Sequence, residues 1–218
     1  MVTLRVIVEG GVAPTNVDAA TANNVEALRE ALHRFFARLL GRDDVDLIVD
    51  MGWGCRSAAK RLASDPQAAS LYVDSDAPYE RRTEWFDRLA NPVRPENSIV
   101  LPAAARERVF FMVQEMEAWF LKQPACLERW AAAEGYERQH PEETLADHSL
   151  LRGGDVENIA KPSEKLEILM RHFFPKKGKK KIYGKLRTAP GLLDALDAAA
   201  LRDVDRELQR FAACATCP

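Results

Sequence analysis

The 218-residue sequence lacks a long hydrophobic run, a strong net charge and a disulfide pattern, and each absence excludes a class of protein. No apolar stretch reaches the roughly 18 residues that a membrane-spanning helix needs. The net charge of −2 gives no overall basic field, so any nucleic-acid surface has to be local. The first residues resemble a strand and not a signal peptide, and the four cysteines form no disulfide framework. We therefore expect a cytoplasmic protein with one domain, or with one domain and an extension.

Strand and helix patterns alternate through the first part of the chain. Short β-favouring runs at 4–8, 45–49 and 71–73 are separated by helical spacing, and a fourth apolar run follows at 108–113. This alternation is typical of a mostly parallel sheet covered by helices. We expect an α/β fold with a mostly parallel four-stranded sheet flanked by helices. Its core would span 1–122, and a mainly helical extension over 123–218 would pack on that core.

Individual helices are also predicted from spacing. Apolar residues recur at helical spacing from about Asn24 to Leu40, and Gly41 is a natural end for that helix. The stretch 191–211 has the same spacing and predicts two helices.

Asp74 and Asp76 follow the strand Leu71-Tyr72-Val73, and Pro78 ends that segment. Open α/β sheets bind their ligands at the carboxyl ends of the strands. Two close carboxylates repel each other unless a cation lies between them, and hard oxygen ligands suit Mg²⁺ or Mn²⁺. The alternative is that both acids cap the next helix or form an Asx-turn.

Carboxylates follow two further predicted strands. Glu9 precedes Gly10 and Gly11 after the first strand, and Glu115 and Glu117 follow the fourth. Because parallel strands end at one edge of a sheet, these acids and the Asp-x-Asp pair should converge in space. Such a site could hold one or two Mg²⁺ ions that activate water and clamp a phosphodiester. We expect Glu9, Asp74 and Asp76 to bind metal, with Glu115 or Glu117 completing the shell or acting as a base.

Basic residues supply candidate phosphate contacts. Arg56 could bind a phosphate at a helix N-terminus or be a solvated loop residue. The tract Lys176–Lys181 could follow the backbone of DNA or RNA, with Tyr183 available for stacking, or be a solvated charge run. Lys185, like Arg56, is a candidate for stabilising charge that develops on a phosphate.

Cysteine and histidine patterns give little support for other metal sites. Cys214 and Cys217 form a lone C-x-x-C without a second pair, which argues against a zinc or redox centre. The histidines at 33, 140, 148 and 172 show no ligand spacing, and we expect them to be ordinary surface or core residues.

Several segments together resemble the DUF4276 family, and the resemblance covers nearly the whole chain. They are Val8-Glu9-Gly10, Val73-Asp74-Ser75-Asp76, residues 112–119, Lys161-Pro162 and Tyr183-Gly184-Lys185. The resemblance implies a Toprim-like α/β fold, shared with topoisomerases, primases and OLD-type nucleases. It also implies that Glu9 matches the Toprim glutamate and that Asp74 and Asp76 match the Mg²⁺-binding Asp-x-Asp. Glu115 and Glu117 match a family-specific segment, and the chain departs from many relatives at residues 11–14, which carry no acidic run.

Two hypotheses follow from these observations. The first is a Mg²⁺-dependent phosphoryl-transfer enzyme, most simply a nuclease acting on DNA or RNA; the resemblance further implies an anti-phage defence effector working with an ATPase. The second is a non-catalytic module that binds an ATPase or nucleic acid. The net charge of −2 favours the second, because a free-standing nuclease usually has a broader basic face. The converging acids favour the first, since unpaired acids at that edge would have no structural reason.

Overall fold

The computed structural model describes residues 2–11, 17–65, 69–152, 154–178 and 181–216. It contains a four-stranded, all-parallel sheet with the strand order β2-β1-β3-β4. The strands are β1 (Val2–Val8), β2 (Val45–Met51), β3 (Ala69–Asp74) and β4 (Val109–Met112). The predicted fold class, an α/β protein with a parallel four-stranded sheet flanked by helices, is confirmed.

Helices lie between the strands and make up most of the C-terminal half. They are α1 (Ala19–Leu40), α2 (Cys55–Ser64), α3 (Glu84–Ala90), α4 (Ala103–Glu107), α5 (Ala118–Lys122), α6 (Ala125–Ala133), α7 (Pro162–Phe173), α8 (Lys185–Ala195), α9 (Ala198–Val204) and α10 (Arg206–Thr216). None of the helices in the described ranges is long and apolar enough to cross a membrane.

Aspartate caps explain where the helix boundaries differ from the prediction. Asp18 accepts a hydrogen bond from the Thr21 N–H at 2.9 Å, so α1 begins five residues before the predicted Asn24. The prediction of two helices in 191–211 is wrong, because α8, α9 and α10 share this stretch. Asp197 caps α9, and Asp205 accepts from the Leu208 N–H at 2.9 Å at the start of α10. Gly41 ends α1 in the left-handed region, as predicted.

Apolar side chains cover both faces of the sheet. On one face, aromatic rings from α1, β3, β4, α5 and α10 pack together, including Phe36, Tyr72, Trp119 and Phe211. On the other face, α2, α3 and α4 cover Leu71 and its neighbours. Burial on both faces explains why the strands are almost continuous apolar runs. Polar side chains therefore gather where the strands end.

The strand order places three strand ends side by side. Val8 of β1 pairs with Tyr72, and Asp74 at the end of β3 pairs with Met112 of β4. The Glu9 N–H donates to the Tyr72 carbonyl at 2.7 Å, so the chain continues in register beyond the last strand residue. The segments that follow β1, β3 and β4 consequently share one carboxyl edge of the sheet.

Candidate functional site

Five carboxylates and one ammonium group meet at the carboxyl edge of the sheet. We call this set the acidic edge; it consists of Glu9, Asp74, Asp76, Glu115, Glu117 and Lys185. A cleft of about 480 Å³ opens beside it, and Glu9 and Asp76 lie outside the lining of this cleft. The lining residues are Asp74, Glu115, Glu117, Ser163, Glu164, Glu167, Ile168, Lys181, Tyr183 and Lys185. The cleft therefore carries five carboxylates against two ammonium groups.

Asp74 is the most tightly held side chain of the acidic edge. Its Oδ1 accepts from the Met116 N–H at 2.9 Å, and its Oδ2 accepts from Lys185 Nζ at 2.9 Å. Its own backbone N–H donates to Glu9 Oε2 at 3.2 Å. Because only 15% of the Asp74 side chain is exposed, these contacts fix its orientation. Each oxygen has one protein partner, which leaves a lone pair on each for another ligand.

Glu9 is a carboxyl group that titrates near neutral pH. Burial and the negative charges of Asp74 and Asp76 raise its pKa from 4.5 to about 7, against the opposing effect of Lys185. The charged form of Glu9 is thus disfavoured by its surroundings. A further cation at this edge would stabilise that charged form.

Asp76 faces solvent beside Arg88. Its side chain is 72% exposed, and its Oδ2 lies 3.9 Å from Arg88 Nη2. Partial desolvation and the charge of Asp74 raise its pKa. Asp76 and Gln114 both have positive φ angles, 48° and 64°, and the Asp76 N–H donates to the Gln114 carbonyl at 2.9 Å. Two hydrogen-bonded residues other than glycine that both have left-handed backbone conformations are uncommon away from tight turns and functional sites.

Glu115 has a structural role that the sequence analysis did not predict. Its Oε2 accepts from the Ser163 N–H at 2.7 Å, in the first turn of α7. A carboxylate is stabilised there by the free N–H groups and by the helix dipole. The expectation that the acids of this edge are unpaired and lack a structural reason is therefore wrong for Glu115, and it is also wrong for Asp74 and Glu117, which have protein partners of their own.

Glu117 and Tyr183 form a buried hydrogen-bonded pair. The Tyr183 hydroxyl donates to Glu117 Oε1, and burial raises the pKa of both groups. The Glu167 carboxylate holds this segment by accepting from the Tyr183 N–H at 2.6 Å. Since Tyr183 is only 3% exposed, its ring is not available to stack on a base, contrary to the sequence prediction.

Lys185 remains a cation inside this group of acids. Burial lowers its pKa, but Asp74 and Glu117 together raise it further, and the net shift is upward. The N-terminal position of Lys185 in α8 brings its ammonium group to the strand ends from a distant part of the sequence.

Other predicted basic contacts lie around the edge. Arg56 follows the first residue of α2, donates to the Asn97 carbonyl and lines a cavity of about 70 Å³ with Asp76 and Arg88. Lys181 lines the larger cleft, and Lys176 Nζ lies 4.9 Å from the centre of the Tyr136 ring. Residues 179 and 180 of the lysine tract and Cys217 of the cysteine pair lie outside the described residues. Cys214 is half-buried with a free thiol.

A second group of side chains could hold a metal ion. Glu143, His148 and His172 each contribute one possible ligand atom, and these three atoms lie within 4.8 Å of one another. The prediction that His148 and His172 are ordinary residues missed this group, because it forms between a loop and α7 and has no local spacing. Within the described ranges, no three side chains of the acidic edge bring ligand atoms that close together.

Comparisons with protein-family models, with curated proteins and with solved structures give no match. Any assignment of function to this chain therefore rests on the geometry of its side chains, and the resemblance to the DUF4276 family stays a prediction.

Proposed function

We propose that the protein is a Mg²⁺-dependent phosphoryl-transfer enzyme, a nuclease acting on DNA or RNA, whose reaction takes place at the acidic edge. The observation that carries this proposal is the convergence of five carboxylates on one ammonium group, with a Glu9 pKa of about 7. Excess negative charge at strand ends is the environment that a divalent cation stabilises.

The donor set fits Mg²⁺ held partly by water. Mg²⁺ usually binds proteins through one or two carboxylates and keeps several water ligands or substrate phosphates. Asp74 is fixed and retains lone pairs, and Asp76 is exposed beside it. Among the described residues, no three side chains of the acidic edge bring ligand atoms within 4.8 Å of one another. This spacing agrees with an ion held by one or two carboxylates and water, and not with an ion enclosed by protein ligands alone.

The side chains of the edge would take separate roles. When bound, Mg²⁺ would polarise a phosphoryl oxygen and lower the pKa of a coordinated water. Asp74 and Asp76 would hold the ion. Glu9 would join them as a ligand or take the proton of the attacking water, since a cation bound beside it would favour its ionised, proton-accepting form. Lys185 would stabilise charge on the phosphate.

The surroundings of the cleft support a polyanionic substrate. Lys181, the last residue of the basic tract, lines the cleft together with Lys185. Arg56 and Arg88 line the small cavity that includes Asp76. These positions suit contacts with phosphates that flank the scissile bond. An ATPase partner and a role in anti-phage defence are part of the same proposal, on the basis of the DUF4276 resemblance.

A specific contact favours a second candidate, a non-catalytic module of the same fold that regulates an ATPase or nucleic-acid partner. The Lys185 ammonium already pairs with Asp74 Oδ2 at 2.9 Å, so the protein supplies one counter-ion of its own. In that case the acidic edge would be a structural ion-pair network.

Metal-dependent stability tests the proposal. We expect Mg²⁺ or Mn²⁺ to raise the thermal midpoint of the wild-type chain, and Mg²⁺, which prefers oxygen ligands, to leave that of Asp74→Asn/Asp76→Asn unchanged. Above the dissociation constant, each tenfold increase in free metal should add about 1.4 kcal/mol to the free energy of unfolding. The matched control is Asp43→Asn/Asp46→Asn, which removes two exposed acids near the start of β2, away from the acidic edge.

Cleavage of labelled single- and double-stranded DNA and RNA, with each metal, then separates the two candidates. The enzyme predicts metal-dependent cleavage that the Asn pair abolishes and the control pair retains. Metal binding without cleavage of any of these substrates would favour the regulatory module. No metal effect, with nucleic acid also present, would exclude the catalytic proposal.

A further inference from the structure

A long loop joins α6 to the short 3-10 turn at Val156–Asn158. Its described residues, from 134 to 155, form no α-helix or strand. Loops of this length are uncommon in compact domains and are usually functional when they are ordered. This loop is anchored at the end of α7, where the Gln139 N–H donates to the Phe173 carbonyl at 2.7 Å. Leu145 in the same loop is only 3% exposed.

The imidazole cluster, consisting of Glu143, His148 and His172, lies at this anchor. His172 Nε2 is 2.9 Å from Glu143 Oε2, and the ring centres of His148 and His172 are 5.2 Å apart. His172 belongs to the last turn of α7, whereas the other two residues belong to the loop. The cluster therefore joins two parts of the chain that secondary structure does not connect.

The donor chemistry of the imidazole cluster differs from that of the acidic edge. Two imidazoles and one carboxylate suit Zn²⁺ and other transition metals, whereas Mg²⁺ prefers oxygen ligands alone. About a third of the His172 and Glu143 side chains is exposed, which leaves room for a water ligand. A cation at the C-terminal end of α7 is also stabilised by the helix dipole.

A third histidine, His140, limits how many protein ligands the cluster can supply. The His140 ring stacks on His172 at 4.3 Å with an angle of 6° between the planes. Because a metal lies in the plane of the imidazole that binds it, two parallel stacked rings do not direct lone pairs at one ion. His140 thus covers His172, and three protein ligands remain.

We propose that Glu143, His148 and His172 bind one transition-metal ion, with Zn²⁺ as the best match, and that this ion fastens the loop to the end of α7. The ion would take the place of the hydrogen bond between His172 Nε2 and Glu143 Oε2. Because imidazole binds a metal only in its neutral form, metal binding should weaken as the pH falls.

The test is Zn²⁺ binding to the full, untagged chain after treatment with a chelator. We expect one Zn²⁺ per chain, and Co²⁺ in its place should give the strong visible absorption of a four-coordinate site. Loss of a residue that only hydrogen-bonds to a metal ligand already lowers metal affinity by about 10–100-fold. We therefore expect His172→Ala, His148→Ala and Glu143→Gln, which change the ligands themselves, each to lower Zn²⁺ affinity by at least about 10-fold. His33→Ala is the matched control, since His33 lies on α1 against the Leu47 carbonyl.

Hydrogen exchange supplies a structural measurement on the same samples. Zn²⁺ should slow exchange of the loop amides between 136 and 150 in the wild type and not in Glu143→Gln. This variant keeps the shape of the side chain, so it can be used even if the alanine variants fail to fold. The double variant Asp74→Asn/Asp76→Asn should bind Zn²⁺ as the wild type does. The proposal would be overturned if the three cluster variants bound Zn²⁺ as tightly as the His33 control, or if the Asn pair lost Zn²⁺ binding. It would also be overturned if Zn²⁺ left the exchange rates of the loop amides unchanged in the wild type.

Discussion

The acidic edge and the imidazole cluster lie at opposite ends of α7 and are built in different ways. Ser163 and His172 are nine residues apart on this helix, which places them roughly 14 Å apart along its axis. The acidic edge combines three strand ends with Lys185, which follows Asp74 by 111 residues. The imidazole cluster joins one loop to the nearby helix end, and Glu143 and His172 are 29 residues apart.

The difference shows how one helix can serve two kinds of site. The acidic edge depends on the sheet register and the packed core, so its geometry should persist until the whole protein unfolds. The imidazole cluster is about one-third exposed and depends on a loop, so it should open locally at a much lower free-energy cost. The helix dipole fits both ends, because the carboxylate of Glu115 lies at the N-terminus and the imidazoles lie at the C-terminus.

The largest effect is expected from Phe211→Ala. Phe211 is fully buried against Phe36, Tyr72 and Phe110, with ring centres 5.2–5.4 Å apart. Its truncation should lower the free energy of unfolding by about 3–5 kcal/mol. Hydrogen exchange should show this full loss at the amides of β3 and little change in the 134–155 loop.

The control for this variant is Phe86→Ala. Phe86 is half-buried on the other face of the sheet, so its truncation should lower the free energy of unfolding by less. If the loop amides of Phe211→Ala accelerate as much as those of β3, the loop opens only with the whole protein. The contrast between a globally held and a locally held site would then be wrong.

A smaller effect is expected from Glu9→Gln, and it depends on pH. The folded-state pKa of Glu9 is raised from 4.5 to about 7, so the folded protein holds this proton more tightly than the unfolded chain. The contribution of Glu9 to stability is therefore present at acidic pH and is lost as the pH rises toward 7. Its full size is at most about 3 kcal/mol. Urea unfolding between pH 5 and 8 should show a fall that Glu9→Gln removes.

Saturating Mg²⁺ should reverse this trend, because a bound cation favours ionised Glu9. The matched control is Glu164→Gln, whose carboxylate is exposed and already paired with Lys161. A wild-type profile that is identical to that of Glu9→Gln at all pH values would show that the acidic edge does not strain its carboxylates.

The smallest effect is expected from Glu115→Gln. The glutamine can still accept from the Ser163 N–H, but the charge at the N-terminus of α7 is lost. Stability should fall by about 0.3–1 kcal/mol, and the loss should shrink in high salt. A loss above about 2 kcal/mol would exceed this charge effect and would indicate that Glu115 has a further buried contact.

The sheet and much of the acidic edge could be predicted from sequence because their signals are local. The apolar runs before Glu9, Asp74 and Glu115 mark strand ends, and parallel pairing brings such ends to one edge of the sheet. The partners of these acids could not be predicted in the same way. Nothing near Ser163 indicates that its N–H meets Glu115, because that contact depends on how α7 is placed.

The imidazole cluster shows more clearly what cannot be predicted from the sequence. Glu143 and His148 lie in a polar loop without periodicity, and His172 lies on a partly exposed side of α7. Their approach follows from the path of the loop, for which the sequence carries no regular pattern. In contrast, the division of the C-terminal helices was predictable in principle, since Asp197 and Asp205 are typical helix caps.

The position of Phe211 in the chain affects how the protein is made. The sheet face that it covers is complete in sequence once β4 has left the ribosome, but α10 is translated about a hundred residues later. At 5–20 residues per second this delay is roughly 5–20 s. During that time Tyr72 and Phe110 lack their final cover, so the nascent chain presents an aromatic surface on which a holding chaperone could bind.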